Sequence, residues 1–190
     1  MGGVMSSVTI SGDTSGSIIL QAPSVAGSTT LTLPTTTGTL VTSNAMPTGS
    51  VLQVVQGTLT GNVQSTSSST FIDTGLTASI TPKFSTSKIL VIVQQSGCSK
   101  QSGNTGLNLR LLRGSSTIQT ITDAGFYTGS TADARFNIVS GCYLDSPATI
   151  SSTTYKTQFA NYTNGVGIAY VNDYGNTFTT STITLLEIAA

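Results

Sequence analysis

Histidine is missing from the sequence altogether. Without an imidazole there is no Ser–His–Asp or Cys–His nucleophilic catalysis and no histidine-ligated zinc. Two cysteines, Cys98 and Cys142, are too few for a four-thiolate site. No Gly-rich loop runs into Lys-Ser or Lys-Thr, which excludes P-loop chemistry. The expectation is a chain with no catalytic residue, no metal and no cofactor.

Charge is almost as scarce. Lys, Arg, Asp and Glu supply 7% of the 190 residues and cancel to a net charge of zero, where soluble proteins average about a quarter. The seven basic residues are scattered from Lys83 to Lys156. Nucleic-acid binders cluster such residues to displace phosphate counterions, so no nucleic-acid partner is expected. Long apolar runs are absent too: "KILVIV" (Lys88 to Val93) is among the longest, against the roughly 20 residues of a spanning helix. No membrane segment is expected. The opening "MGGVMSSVTISG" has neither a basic nor an apolar stretch of signal-peptide type. Its "MGGVMS" fits the loose myristoylation pattern, a match short enough to arise by chance. Cys142 falls in a strand pattern where a small buried thiol is expected, and both cysteines are read as free and structural.

What remains is abundant Ser and Thr, with Val and Ile between them. Disordered chains combine low hydrophobicity with high net charge, whereas this one is 37% hydrophobic and neutral. Thr, Val and Ile suit a pleated, half-buried surface, and the fold class read from them is all-β.

Two textures divide the chain. In residues 1–45 short strand-like fragments (Val8 to Ser11, Ser17 to Gln21, Thr29 to Leu33, Gly38 to Thr42) alternate with the turn signals "GDTSG", "APSVAG" and "PTTTG". Each has too few apolar groups to offset the entropy of ordering its own backbone. The segment predicts an extended β-ribbon that anchors to partners or intertwines with other copies. "SNAMPTGS" suggests a hinge at 46–50. From Val51 to the end, period-2 alternation predicts strands near Val51–Gln56, Thr58–Val63, Phe71–Thr81, Lys88–Gln95, Leu107–Arg113, Thr117–Thr122, Arg135–Leu144, Thr153–Ala160, Gly165–Val171 and Thr179–Ile188. In "RFNIVSGCYL" the pattern sets Phe136, Ile138, Cys142 and Leu144 on one face, against Arg135, Asn137 and Tyr143. Many short strands joined by Gly/Ser/Asn turns predict an antiparallel β-sandwich over 51–190, jelly-roll-like or Greek-key, with a closed barrel as the competitor. Thr-rich edges poor in Lys are weakly protected, and oligomerisation would cover them.

"SGDTSGSIILQAP…LTLPTTTGTLVTS" resembles the N-terminal modules of tailed-phage fibre and virion structural proteins, especially from marine and cyanobacterial phages. "PTGSVLQVVQG", "TSSSTFIDTGLTASITPKFSTSKILVIV", "LRLLRG", "YLDSPATISSTTYKTQ" and "STITLLEIA", in that order, are similar to the C-terminal domain of the same group. The resemblance implies a homotrimeric jelly roll located in the virion. It implies attachment to other virion proteins, capsid or tail, through residues 1–45, and it supplies no catalytic residues.

The expected function is therefore a non-enzymatic virion component, a fibre or decoration protein. A receptor-binding module for host surface glycans is the alternative, and a polysaccharide-degrading enzyme is third. Glycoside hydrolysis needs two flanking carboxylates, but most of the seven acids sit in turn contexts such as "FIDTG" and "NDYG". For glycan contact the candidates are Tyr127, Tyr162, Asn172, Asp173 and Tyr174, aromatic faces with amide and carboxylate partners. Glu187, the one glutamate, lies in the apolar strand "ITLLEIA". If buried it requires a partner, for which Arg110 and Arg113 are the candidates, while a strand-end glutamate reaching water is the alternative.

Overall fold

Alternation of apolar and hydroxyl-bearing side chains becomes strand pairing wherever a second sheet can cover the apolar side. The computed structural model describes residues 7–11, 13–21, 30, 32, 35–38, 41–42, 46–130, 133–173 and 179–190, with Phe136 described by its backbone alone. The chain forms two compact units, Met1–Leu40 and Val41–Ala190.

In the first unit, β1 (Ser7–Ser11) and β2 (Ser17–Gln21) form an antiparallel hairpin. Its register sets Val8 opposite Leu20 and Ile10 opposite Ile18, so these four share one face. Thr9 pairs with Ile19 on the other face, and every strand position is exposed. The fragments expected at Thr29 to Leu33 and Gly38 to Thr42 fall largely outside the described residues. Those described there, Thr30, Thr32, Gly38, Val41 and Thr42, carry no strand.

The second unit is a two-sheet sandwich, and no helix occurs among the described residues. Its strands are β3 (Val51–Thr60), β4 (Gln64–Thr66), β5 (Ile72–Ile80), β6 (Lys88–Gln101), β7 (Thr105–Arg113), β8 (Ser116–Thr128), β9 (Asp133–Asp145), β10 (Thr153–Asn161), β11 (Ile168–Val171) and β12 (Thr180–Ile188). One sheet runs β5-β10-β7-β8, the other β3-β12-β6-β11-β4, with β9 on the free edge of β6. All pairings are antiparallel. β6 pairs β12 from Lys88 to Gln94, then β11 from Ser99 to Gln101. Taking β3 with β4 and β11 with β12 as interrupted strands, the order is first, eighth, third, sixth over second, seventh, fourth, fifth. That is the winding of a jelly roll.

Between the sheets lie two apolar clusters. Leu76, Ala78 and Ile80 of β5 meet Ile89, Val91 and Val93 of β6, with Leu111, Tyr155, Ile183 and Leu185. Farther along, Cys98, Leu107, Leu109, Val139, Phe159, Ala169 and Val171 form the second. A buried polar chain joins the two sheets. The Thr74 and Thr157 hydroxyls are 2.6 Å apart, and Thr157 donates to Gln95 Oε1 at 3.0 Å. Gln95 Nε2 in turn donates to Asn172 Oδ1 and Ser181 Oγ, each at 3.0 Å. Asn172 Nδ2 closes the chain on the Asn62 carbonyl at 3.0 Å. Paired in this way, the groups avoid the cost of buried unsatisfied polarity and favour one register over its neighbours.

Three expectations are revised. The two strands expected before Val63 are one continuous strand, β3. Within the expected hinge at 46–50, the last two residues are tied to the sandwich: Gly49 N donates to Ala189 O at 2.8 Å, and Ala189 N donates back to Ser50 O at 2.9 Å. In β9, Ile138, Cys142 and Leu144 share a face as expected, but it is the outer one: Cys142, expected to be buried, is exposed, whereas Val139 and Asp145 point inward. Neighbouring chemistry selects that register. Gly141 leaves room for Ile121, which a Cβ would meet at 2.9 Å. Asp145 accepts from the Tyr155 hydroxyl at 2.7 Å and pairs with Arg113 at 2.9 Å.

Candidate functional site

The jelly roll ends in loops that gather two of the expected aromatics. Tyr127, near the end of β8, and Tyr162, just after β10, meet edge to face with ring centroids 5.8 Å apart at 78°. They remain 48% and 43% exposed. Local backbone turns them out: β8 slips register repeatedly against β7, and Ala124 and Phe126 adopt positive φ of 49° and 63°. A bulky residue at positive φ is an outlier that its surroundings must hold in place. Beside the rings, Tyr127 Oη donates to Asn104 Oδ1 at 3.4 Å, and the Thr163 hydroxyl donates to Asn104 O at 2.8 Å. Asn161, buried beneath, donates to the carbonyls of Ser67, Thr163, Val166 and Gly167, fixing the loop that carries Tyr162. Lys100 is buried under the same loops, donating to Thr128 Oγ1 at 2.5 Å and Ser102 O at 3.2 Å. Burial pulls its pKa down. Two exposed aromatic faces on pinned loops can stack on an apolar ring face, with amides at hand for hydroxyls.

Asn172 does not join this pair. It is fully buried with φ 60° and belongs to the polar chain between the sheets. Its amide–turn context in "NDYGN" reads like a surface loop, and only the fold reveals that the side chain points inward. Asp173 is partly buried, and its N–H donates to Gly97 O at 3.0 Å. Tyr174 lies outside the described residues.

Glu187 is fully buried, and its partners are not the arginines. Strand alternation turns it inward after Ser181, Ile183 and Leu185. Gln53, its cross-strand neighbour on β3, donates to Oε2 at 2.6 Å. The N–H groups of Lys83 and Phe84 donate to Oε1 at 2.6 and 3.4 Å. Burial pushes the carboxyl pKa up, but these donors outweigh it and hold the group below its ordinary value. The Ser87 hydroxyl also favours the ionised form from nearby, although it lies outside full hydrogen-bond geometry. The carboxylate thus anchors the loop that carries the chain from β5 in one sheet to β6 in the other. Arg110 instead donates to Gln158 Oε1 at 2.6 and 3.1 Å and stacks on Phe71, 3.9 Å from its centroid. Arg113 pairs with Asp145, a contact that spacing gives no means of finding.

The outer face of the larger sheet is the second feature that alternation alone did not locate. Val54, Leu186, Leu90 and Leu144 are cross-strand neighbours in turn, an aliphatic row spanning β3, β12, β6 and β9. The next row is Gln56, Thr184, Ile92 and Cys142. Among the described residues, no group of three or more His, Cys, Asp or Glu could hold a metal ion. The same residues hold no helix long and apolar enough to cross a membrane.

The fold defines the second unit as a jelly-roll β-sandwich. No protein-family model matches the sequence, and no curated protein matches it either.

Proposed function

We propose that this chain is a non-enzymatic structural component of a virus particle, a fibre or decoration protein. Its N-terminal unit attaches the protein to other virion proteins, and its jelly roll projects as a homo-oligomer, with three copies as the expected number. The observation that carries the reading is the hairpin β1–β2. It gathers Val8, Ile10, Ile18 and Leu20 on one face and leaves all four exposed. A two-stranded hairpin is marginal alone in water, and burying four aliphatic side chains on a partner contributes about 1.5–3 kcal/mol each before association costs. The neutral, hydroxyl-rich composition suits crowded assembly without long-range repulsion. Immunogold labelling of purified phage particles from the source of the sequence tests this. Gold at a fixed position on capsid or tail is the expected result, and particles free of the protein overturn the reading.

A second role, contact with a host surface glycan, is favoured by the Tyr127–Tyr162 pair. Binding to a glycan array is expected to fall roughly tenfold or more in Tyr162→Ala, the scale of one lost aromatic contact. An array on which the unmodified chain binds nothing removes this role and leaves the structural one.

A further inference from the structure

The aliphatic row on the outer sheet face is continuous across four strands. Val54 and Leu144 at its ends are 58% and 50% exposed, and Ile92 in the next row is 39% exposed. Inward-facing positions on these strands fill the core, so this second apolar surface does nothing for the sandwich itself. The rows that follow carry Thr, Gln and Ser, no charged side chain stands in the paired rows from Val54 to Thr58, and the exposed Lys88, paired with Ile188, borders the aliphatic row on its other side. A single lysine at its border gives this surface little counter-charge for nucleic acid or for a strongly charged protein. The surface accepts a copy of itself with little like-charge repulsion, and the chain has net charge zero.

Size points the same way. Strands about 4.8 Å apart with about 3.3 Å rise per residue give four strands over the five positions from Val54 to Thr58 on the order of 300 Å² in projection. The pleated accessible surface is larger, a substantial share of the roughly 800 Å² per partner of a stable protein interface. Single exposed aliphatics are ordinary, but a row continuous across four strands, with Ile92 and Cys142 beside it, is a contiguous patch of the kind that marks an interaction surface.

We infer that the outer face of the β3-β12-β6-β9 sheet is a subunit interface, covered by a second copy of this chain. The inference deepens the reading of the protein as a self-assembling particle component and rests on it. It places an oligomer contact on the jelly roll itself, separate from the hairpin.

Cys142 stands in the second row of this face, exposed in the single chain. Cys98 is buried, and burial pushes its thiol up to about 12, so maleimide reports on Cys142 alone in the folded protein. The test uses the full chain and two measurements, mass by light scattering and the rate of maleimide labelling. The expected result is a multimer whose Cys142 reacts roughly tenfold or more slowly than in the dissociated chain. The double variant Val54→Lys/Leu144→Lys is expected at single-chain mass, with circular dichroism unchanged because both positions are exposed. Ile150→Lys, exposed in a loop off this face, is expected to keep the multimer. A multimer in which Cys142 reacts freely, or a folded double variant with undiminished mass, overturns the inference and leaves self-assembly through the hairpin standing. Unmodified protein of single-chain mass overturns it too, and the immunogold result then decides separately whether the chain is a virion component. If the double variant does not fold, labelling of the unmodified multimer still decides.

Discussion

Glu187 illustrates how a residue's role follows from its donors. A lone carboxylate in an apolar strand raises the question of a counter-charge, and the fold answers it with Gln53 and the backbone amides of Lys83 and Phe84. Glu187→Ala removes the acceptor and strands those donors, which predicts a loss of about 3 kcal/mol in urea unfolding. The pH dependence follows from the depressed pKa. The contribution is complete above the ordinary value of 4.5 and is lost as pH falls through the lower folded-state value. The difference in stability between Glu187→Ala and the unmodified chain is therefore expected to shrink on acidification below that value. A difference that stays constant with pH would show that the carboxylate is not ionised in the folded state. By contrast, the Asp73–Lys156 pair is exposed, and its 2.9 Å contact contributes little.

At the scale of elements, β6 decides most of the architecture. It runs 14 residues and changes partner midway, from β12 to β11. The change occurs at a bulge, where its register with β9 shifts around Cys98. Gly97 sits there with φ +60°, and a Cβ would stand 2.4 Å from Asp173 N and 2.6 Å from the Asn172 carbonyl carbon. Both contacts are backbone, so nothing can swing aside. Gly97→Ala is expected to cost roughly 2–3 kcal/mol from strain and displacement together, read as a lower melting temperature. An unchanged melting temperature would mean that the bulge is plastic. Period-2 alternation revealed where most strands lie, because a half-buried strand must alternate. It could not give the face of β9, since both sides of that strand carry apolar groups. The choice fell to Gly141 fitting Ile121 and to Asp145 reaching Tyr155 and Arg113.

The whole molecule combines a hairpin with a sandwich whose outer sheet face carries an aliphatic row. A chain with 7% charge has little like-charge repulsion between copies, and both surfaces expose aliphatic side chains. Composition and periodicity determined the class, all-β with a sandwich in the longer region, because hydroxyl-rich β-branched residues without helical spacing allow little else. They also determined the scarcity of ionisable chemistry. Tertiary structure alone decided which residues meet: Tyr127 with Tyr162, Glu187 with backbone amides, Asn172 inside rather than on a loop. It alone placed Val54, Leu186, Leu90 and Leu144 in one row. Spacing along one strand fixes which side chains share its face, but neighbours across strands are set by register, and register is chosen by long-range packing and polar pairing that no local window contains.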